Sequence, residues 1–134
     1  MAELTITKCD QVQVVQQFTG PAVEAITEGQ RCRFDATTGK IALGNATTAA
    51  EVKAGGIATR AAAVGETLTI INQGIVDVGE ALVALAFGDD IYVSDTDGGF
   101  STEVGDSTVD VIVGQVIPGW DNTTADKLLW LNGK

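Results

Sequence analysis

The second half of this chain repeats the first at a fixed spacing, and that limits the folds open to it more than any other feature. Gly29 to Ile41 reads GQRCRFDATTGKI, and Gly88 to Phe100 reads GDDIYVSDTDGGF. Gly29 falls on Gly88, Phe34 on Val93, Thr37 on Thr96 and Gly39 on Gly98, each 59 positions on (29 to 88). The register persists to the ends of the halves, where Leu68 to Gly74 (LTIINQG) falls on Lys127 to Gly133 (KLLWLNG). Two copies of a strand, turn, strand unit are too few for a solenoid and indicate a small β-module built by duplication.

The elements follow from local patterning. From Glu3 to Phe18, Leu4 and Ile6 alternate with Thr5 and Thr7, and Val12 and Val14 alternate with glutamines, a period of two that marks a strand or extended arm. Gly20-Pro21 should end it, because proline lacks a ladder donor. Asp35 to Lys40 and Asp95 to Gly99 carry the Asp, Thr and Gly of hairpin turns. Asn45 to Ala54 offers a short helix with Asn45 or Thr47 as cap, or equally a loop. Further strands are expected over Gly56 to Ala61, Glu66 to Ile71 and Gly74 to Val78. After a bridge, Glu80 to Phe87, they resume in the second hairpin, over Val109 to Ile117 with Val109, Val111, Val113 and Ile117 on one face, and over Lys127 to Leu131. About ten strands with turns between them predict an all-β barrel or sandwich of two tandem repeats, about 21–79 and 80–134, in a single domain 21–134 preceded by an extended arm or strand over 1–20.

Composition narrows the function classes. With 134 residues, 45% of them hydrophobic, the chain can bury a core. Its 8 basic and 18 acidic residues give a formal charge of −10, which repels a phosphate backbone, so no nucleic-acid partner is expected. No apolar run is long enough to span a bilayer and Met1 to Gly20 has no signal-peptide pattern, so a cytosolic site of synthesis and no membrane partner are expected.

Candidate chemistry is sparse. The sequence contains no His, which removes imidazole bases, His-paired nucleophiles and imidazole metal ligands. Asp95-Thr96-Asp97-Gly98 has the opening spacing of a calcium loop but lacks its later ligands, so with Asp89 and Asp90 it reads as hairpin turn before cation site. Cys9 and Cys32 lack CxxC spacing and are expected as buried free thiols. Trp130, in the closing strand, is expected in the core; Trp120, in a loop after Pro118-Gly119, is the better candidate for a contact between subunits. No catalytic, cofactor or metal site is therefore assigned.

The run GDDIYVSDTDGGFSTE, the strand VIVGQVI and the ending KLLWLNGK resemble the capsid cement, or decoration, proteins of tailed phages, a family of turn and strand signatures, and the first half looks like that family's preceding repeat. The chain departs from the pattern at Gly114-Gln115-Val116 and in the polar insert Asp121 to Asp126. The resemblance implies a non-enzymatic structural virion protein, made in the bacterial cytoplasm. It would bind the outer surface of the expanded icosahedral capsid as a homotrimer, with the major capsid protein as partner and no cofactor. A tail-tube or baseplate protein, or a small carbohydrate-binding β-module, would share the β-rich character. The candidate capsid or subunit contacts are Leu4, Ile6, Val12, Val14, Phe18 and Trp120. The N-terminal segment has no counterpart in the second copy, so it either docks on a neighbour's sheet edge or completes its own barrel.

Overall fold

The computed structural model describes residues 3–49, 51–53, 55–103, 111–121 and 123–134. Among these, nine strands form: β1 (Asp10–Pro21), β2 (Arg31–Phe34), β3 (Ile41–Leu43), β4 (Gly55–Ala58), β5 (Thr67–Asp77), β6 (Asp90–Val93), β7 (Phe100–Ser101), β8 (Ile112–Pro118) and β9 (Lys127–Asn132). A 3-10 helix, Gly79–Leu82, opens the bridge between the copies. Every pairing between these strands is antiparallel, and the sheet curls into a half-barrel, so the all-β expectation holds.

The strand order is β3-β2-β4-β5-β9-β8-β6-β7, with β1 paired to β5 outside that path. Exchanging β2 for β6, β3 for β7, β4 for β8 and β5 for β9 reverses the order onto itself, which is the signature of two copies related by a pseudo-two-fold axis. The pair Gln73–Asn132 joins a residue to its own repeat mate, so the axis passes between them. Equivalent glycines adopt equivalent backbone: φ is +87° at Gly29 and +89° at Gly88, and +72° at Gly39 and +73° at Gly98, a region that L side chains enter only at a cost.

One strand breaks the 59-residue spacing. Cys32 pairs with Gly56 and Ile91 with Gly114, so β8 follows β4 at a spacing of 58 (56 to 114) while its neighbours keep 59. The slip shows in the packing. A β-carbon on Gly56 would stand 2.5 Å from the Ile71 carbonyl oxygen, and one on Gly114 would press closer still on the carbonyl of Trp130, the repeat mate of Ile71. Both copies use glycine here because a neighbouring strand's backbone fills the space a side chain needs.

Each copy builds a core from equivalent positions. Cys32, Ile41, Ala58 and Ile70 lie in the smaller cluster with Ala22, Ile26, Ala62 and Leu68; their mates Ile91, Phe100, Val116 and Leu129 lie in the larger one. Ile57 and Ile71, the alternate residues on β4 and β5, belong to the larger cluster, so every residue of β4 is buried. The first copy's β4 and the Leu68 to Ile71 stretch of β5 are thus covered on both faces. At about 1.5–3 kcal/mol for each fully buried aliphatic side chain, this double coverage is the main hydrophobic link between the copies.

Several sequence expectations are corrected. The two strands expected between Glu66 and Val78 form one, β5 (Thr67–Asp77), with an irregular register near Asn72, whose side-chain Nδ2 donates to the Gly55 carbonyl at 2.6 Å. The strand expected over Gly56 to Ala61 ends at Ala58. Asn45 starts no helix: its Oδ1 accepts from the Thr47 amide at 3.0 Å and its Nδ2 donates to Glu51 and Asp97, tying the loop to the second hairpin, and Ala46 donates its amide to Ser94 at 2.8 Å. Such side-chain bonds compete with helix formation. In β8, Ile91 faces Gly114 and Tyr92 faces Ile112, leaving Val113 as an extra, bulged residue. Parity flips there, so Val113 and Val116 both enter the core while Ile117 pairs with Leu128 outside the larger cluster. Val109 lies outside the described residues.

Candidate interaction surface

The six contact candidates separate into two groups. Leu4, Ile6 and Val14 are half-buried and pack against the larger core, beside buried Cys9. The N-terminal segment continues past them: Leu4 donates its amide to the Phe100 carbonyl at 2.9 Å, Glu3 bridges Ser101, and the Glu3 carboxylate accepts from Ser94 and Thr96 hydroxyls. In the first copy the equivalent strand edge is closed by Ala22 and Val23 against Ile41. The segment therefore closes the second copy's edge, and of the two readings of the arm, completion of its own fold is the one these contacts favour.

Val12 is half-buried at the start of β1, beside the loop that carries Trp120, which is 78% exposed. Phe18 is exposed on β1 and meets the exposed ring of Phe34 edge-on, centroids 4.8 Å apart. Those rings, with Gln17 and Asn72, line a shallow groove of about 380 Å³. Phe18 and Trp120 remain available to a partner; Leu4, Ile6 and Val14 largely do not.

Trp130 corrects the expectation for the core. It is 54% exposed although its neighbours Leu129 and Leu131 are buried. The pairings place it in a cross-strand row, Gln13 with Ile75, Ile75 with Trp130 and Trp130 with Gln115, on the outer face of β1, β5, β9 and β8. A second row, Gln16, Gln73 and Asn132, runs beside it across the pseudo-two-fold axis. The first row ends at Asp90, which pairs with Gln115 on β6; from Gln13 to Gln115, and along the second row, the side chains are uncharged. Sequence parity carried the signal, since Trp130 alternates with two leucines, but parity alone cannot say which face is covered.

The titratable groups are used structurally. Asp35 accepts from the Thr38 amide at 2.9 Å and from its hydroxyl, bonds that hold its carboxyl below the usual range. Asp89 accepts from the Ala86 amide at 2.9 Å, Asp90 from Gln115, and Asp97 from Asn45. Among the described residues no group of three or more His, Cys, Asp or Glu is placed to hold a metal ion. Burial pushes both thiols, Cys9 and Cys32, up to about 12, with nearby carboxylates adding to the shift and Arg31 opposing it at Cys32. Both are free and buried, as expected. Arg31 is itself buried, its guanidinium donating to the carbonyls of Lys53 and Lys134 at 3.2 and 2.9 Å. No helix among the described residues is long and apolar enough to cross a membrane. Comparison of the chain with family models, with curated proteins and with solved structures finds no match.

Proposed function

We propose that this chain is a structural virion protein that binds the exterior of the expanded icosahedral phage capsid and stabilises the junctions between capsomers, acting as a homotrimer and without catalysis. One observation carries the reading. The three stretches through which the sequence resembles cement proteins, Gly88–Glu103, Val111–Ile117 and Lys127–Lys134, come together as one antiparallel unit, β7-β6-β8-β9. The resemblance thus follows a packed unit rather than scattered turns.

The physics of the module suits an external clamp. Its two cores share strands β4 and β5, which makes a stiff body, and a stiff body loses little entropy on docking. Many copies with modest interfaces can together hold a shell against internal pressure. The exposed aromatics Phe18 and Trp120, at opposite ends of β1, are the side chains best placed to contact the shell or a sister subunit. Light scattering of the purified protein and co-sedimentation with expanded and unexpanded heads test the reading. It expects a trimer, or a monomer that trimerises on the shell, and binding to expanded heads alone; a stable hexamer would favour a tail-tube role instead.

A further inference from the structure

The pseudo-two-fold makes the two copies a comparison made within one molecule. At the first copy's central strands the outward pair is Ile57 and Ile71, buried in the larger core. The equivalent pair in the second copy is Gln115, half-buried, and Trp130, 54% exposed, and no second core among the described residues lies over it. Aliphatic residues occupy the position that protein covers; an amide and an indole occupy the position that faces water. A surface for permanent burial against protein would keep the aliphatic pair, since Ile against Ile gains more from desolvation than Gln against Trp.

What surrounds Trp130 narrows the ligand. Gln13, Gln16 and Gln73 flank it, and among the described residues none of these three side-chain amides has a hydrogen-bond partner. Gln115 donates Nε2 to Asp90 at 3.0 Å, which leaves its carbonyl oxygen as an acceptor. Asn132 is engaged, donating to the Ile112 carbonyl at 3.0 Å. Each free amide offers two N–H donors and one acceptor on a side chain without charge. The row from Gln13 to Gln115 crosses four strands and so spans about 14 Å of the sheet's outer face.

We propose that this face binds a neutral oligosaccharide, an activity beyond the capsid role. The C–H groups on one side of a hexose ring are electropositive and apolar and stack on the electron-rich face of an indole. Its hydroxyls, each donor and acceptor at once, pair with amides that present both functions. From Gln13 to Gln115 the row carries no charge, the Asp90 carboxylate at its end accepts from Gln115, and the overall charge of −10 repels sialylated or sulfated chains. Trp120 is more exposed but lies in a loop with Asp121 and Asp126, and no amide row among the described residues surrounds it.

The test uses the full chain on an array of neutral oligosaccharides (α- and β-glucans, chito-oligosaccharides and galactosides) with sialylated glycans as the charged set. Any hit is then titrated by tryptophan fluorescence in a Trp120→Phe background, so that Trp130 alone reports. The expected result is binding to at least one neutral class, a blue shift of the Trp130 emission, at least tenfold weaker binding in Trp130→Ala, and several-fold weaker binding in Gln13→Ala. Trp130 is exposed and its replacement leaves both cores intact, which an unchanged circular dichroism spectrum verifies. The proposal is overturned if no neutral glycan binds at millimolar concentration, if a hit keeps its affinity in Trp130→Ala, or if Trp130→Ala abolishes head binding while no glycan is bound. A Trp130→Ala protein that still decorates heads leaves the capsid role standing, so the two readings fail separately.

Discussion

Replacing Gly56 or Gly114 by alanine probes the duplicated architecture where both copies set a glycine against a neighbouring strand's backbone. In the first copy the added β-carbon would sit 2.5 Å from the Ile71 carbonyl oxygen, where side-chain carbons are essentially never closer than 3.0 Å. The obstacle is backbone, so no rotamer change relieves it and strands β4 and β5 must part by roughly an ångström. Overpacking of this kind costs about 1–3 kcal/mol. Weakening the adjacent ladder, where Ile57 and Ala58 pair with Ile71 and Ile70, adds about 1 kcal/mol for each hydrogen bond lost. Alanine's smaller unfolded-state entropy returns about 0.5–1 kcal/mol. The net expectation is a loss of about 2–4 kcal/mol for Gly56→Ala, and the same or more for Gly114→Ala, read from the shift in urea midpoint at unchanged m-value. Gly39→Ala is the control: it has φ +72° but nothing within 4 Å, so only the cost of the left-handed backbone applies, about 1–2 kcal/mol. Losses below about 1 kcal/mol at both tight sites would refute the argument that β4 and β8 occupy equivalent, backbone-crowded places at a spacing of 58.

Two further perturbations follow from the packing. Folded Cys9 and Cys32 hold their protons up to about pH 12 whereas an unfolded thiol releases its proton from about pH 9, so the thiols' contribution to stability is flat below pH 9 and falls between 9 and 12 by up to ~1.4 kcal/mol per pH unit for each thiol. Denaturant titrations should show that slope shrinking in a Cys9→Ala, Cys32→Ala double variant, and an unchanged slope would contradict it. Deleting residues 1–18 removes most of β1 from β5, the Leu4 and Ile6 packing and the seal on the edge at Phe100, so circular dichroism and thermal melts should show an unfolded or severely destabilised chain; a truncated protein with the parent's melting temperature would return the segment to the role of a free docking arm.

Much of this architecture was legible because repeats, turns and parity are local. The glycines predicted to sit in turns, Gly39 and Gly98, have the positive φ that such turns need, and the two hairpins form where Asp, Thr and Gly cluster. The missed features are long-range. The bulge at Val113 is an insertion visible only against a partner strand, and it moved Ile117 off its expected face. Asn45 looked like a helix cap because its partners Glu51 and Asp97 are brought to it by the tertiary fold. Trp130 and Ile71 occupy equivalent positions in equivalent strands, yet one is exposed and the other buried, because only one of the two copies has a second core above it. At the candidate surface, Trp120 was found from its loop position and Phe18 from its place in the N-terminal segment, while the amide row around Trp130 needed the register of four strands to assemble it.

The most direct test of the proposed capsid role is to incubate the purified protein with expanded heads of tailed phages and to image the shells by electron cryomicroscopy. The account predicts added density on the outer surface only, three-lobed and centred at three-fold or quasi-three-fold junctions, each lobe fitting the half-barrel. Bare expanded shells at saturating protein, or density confined to the tail, would contradict it.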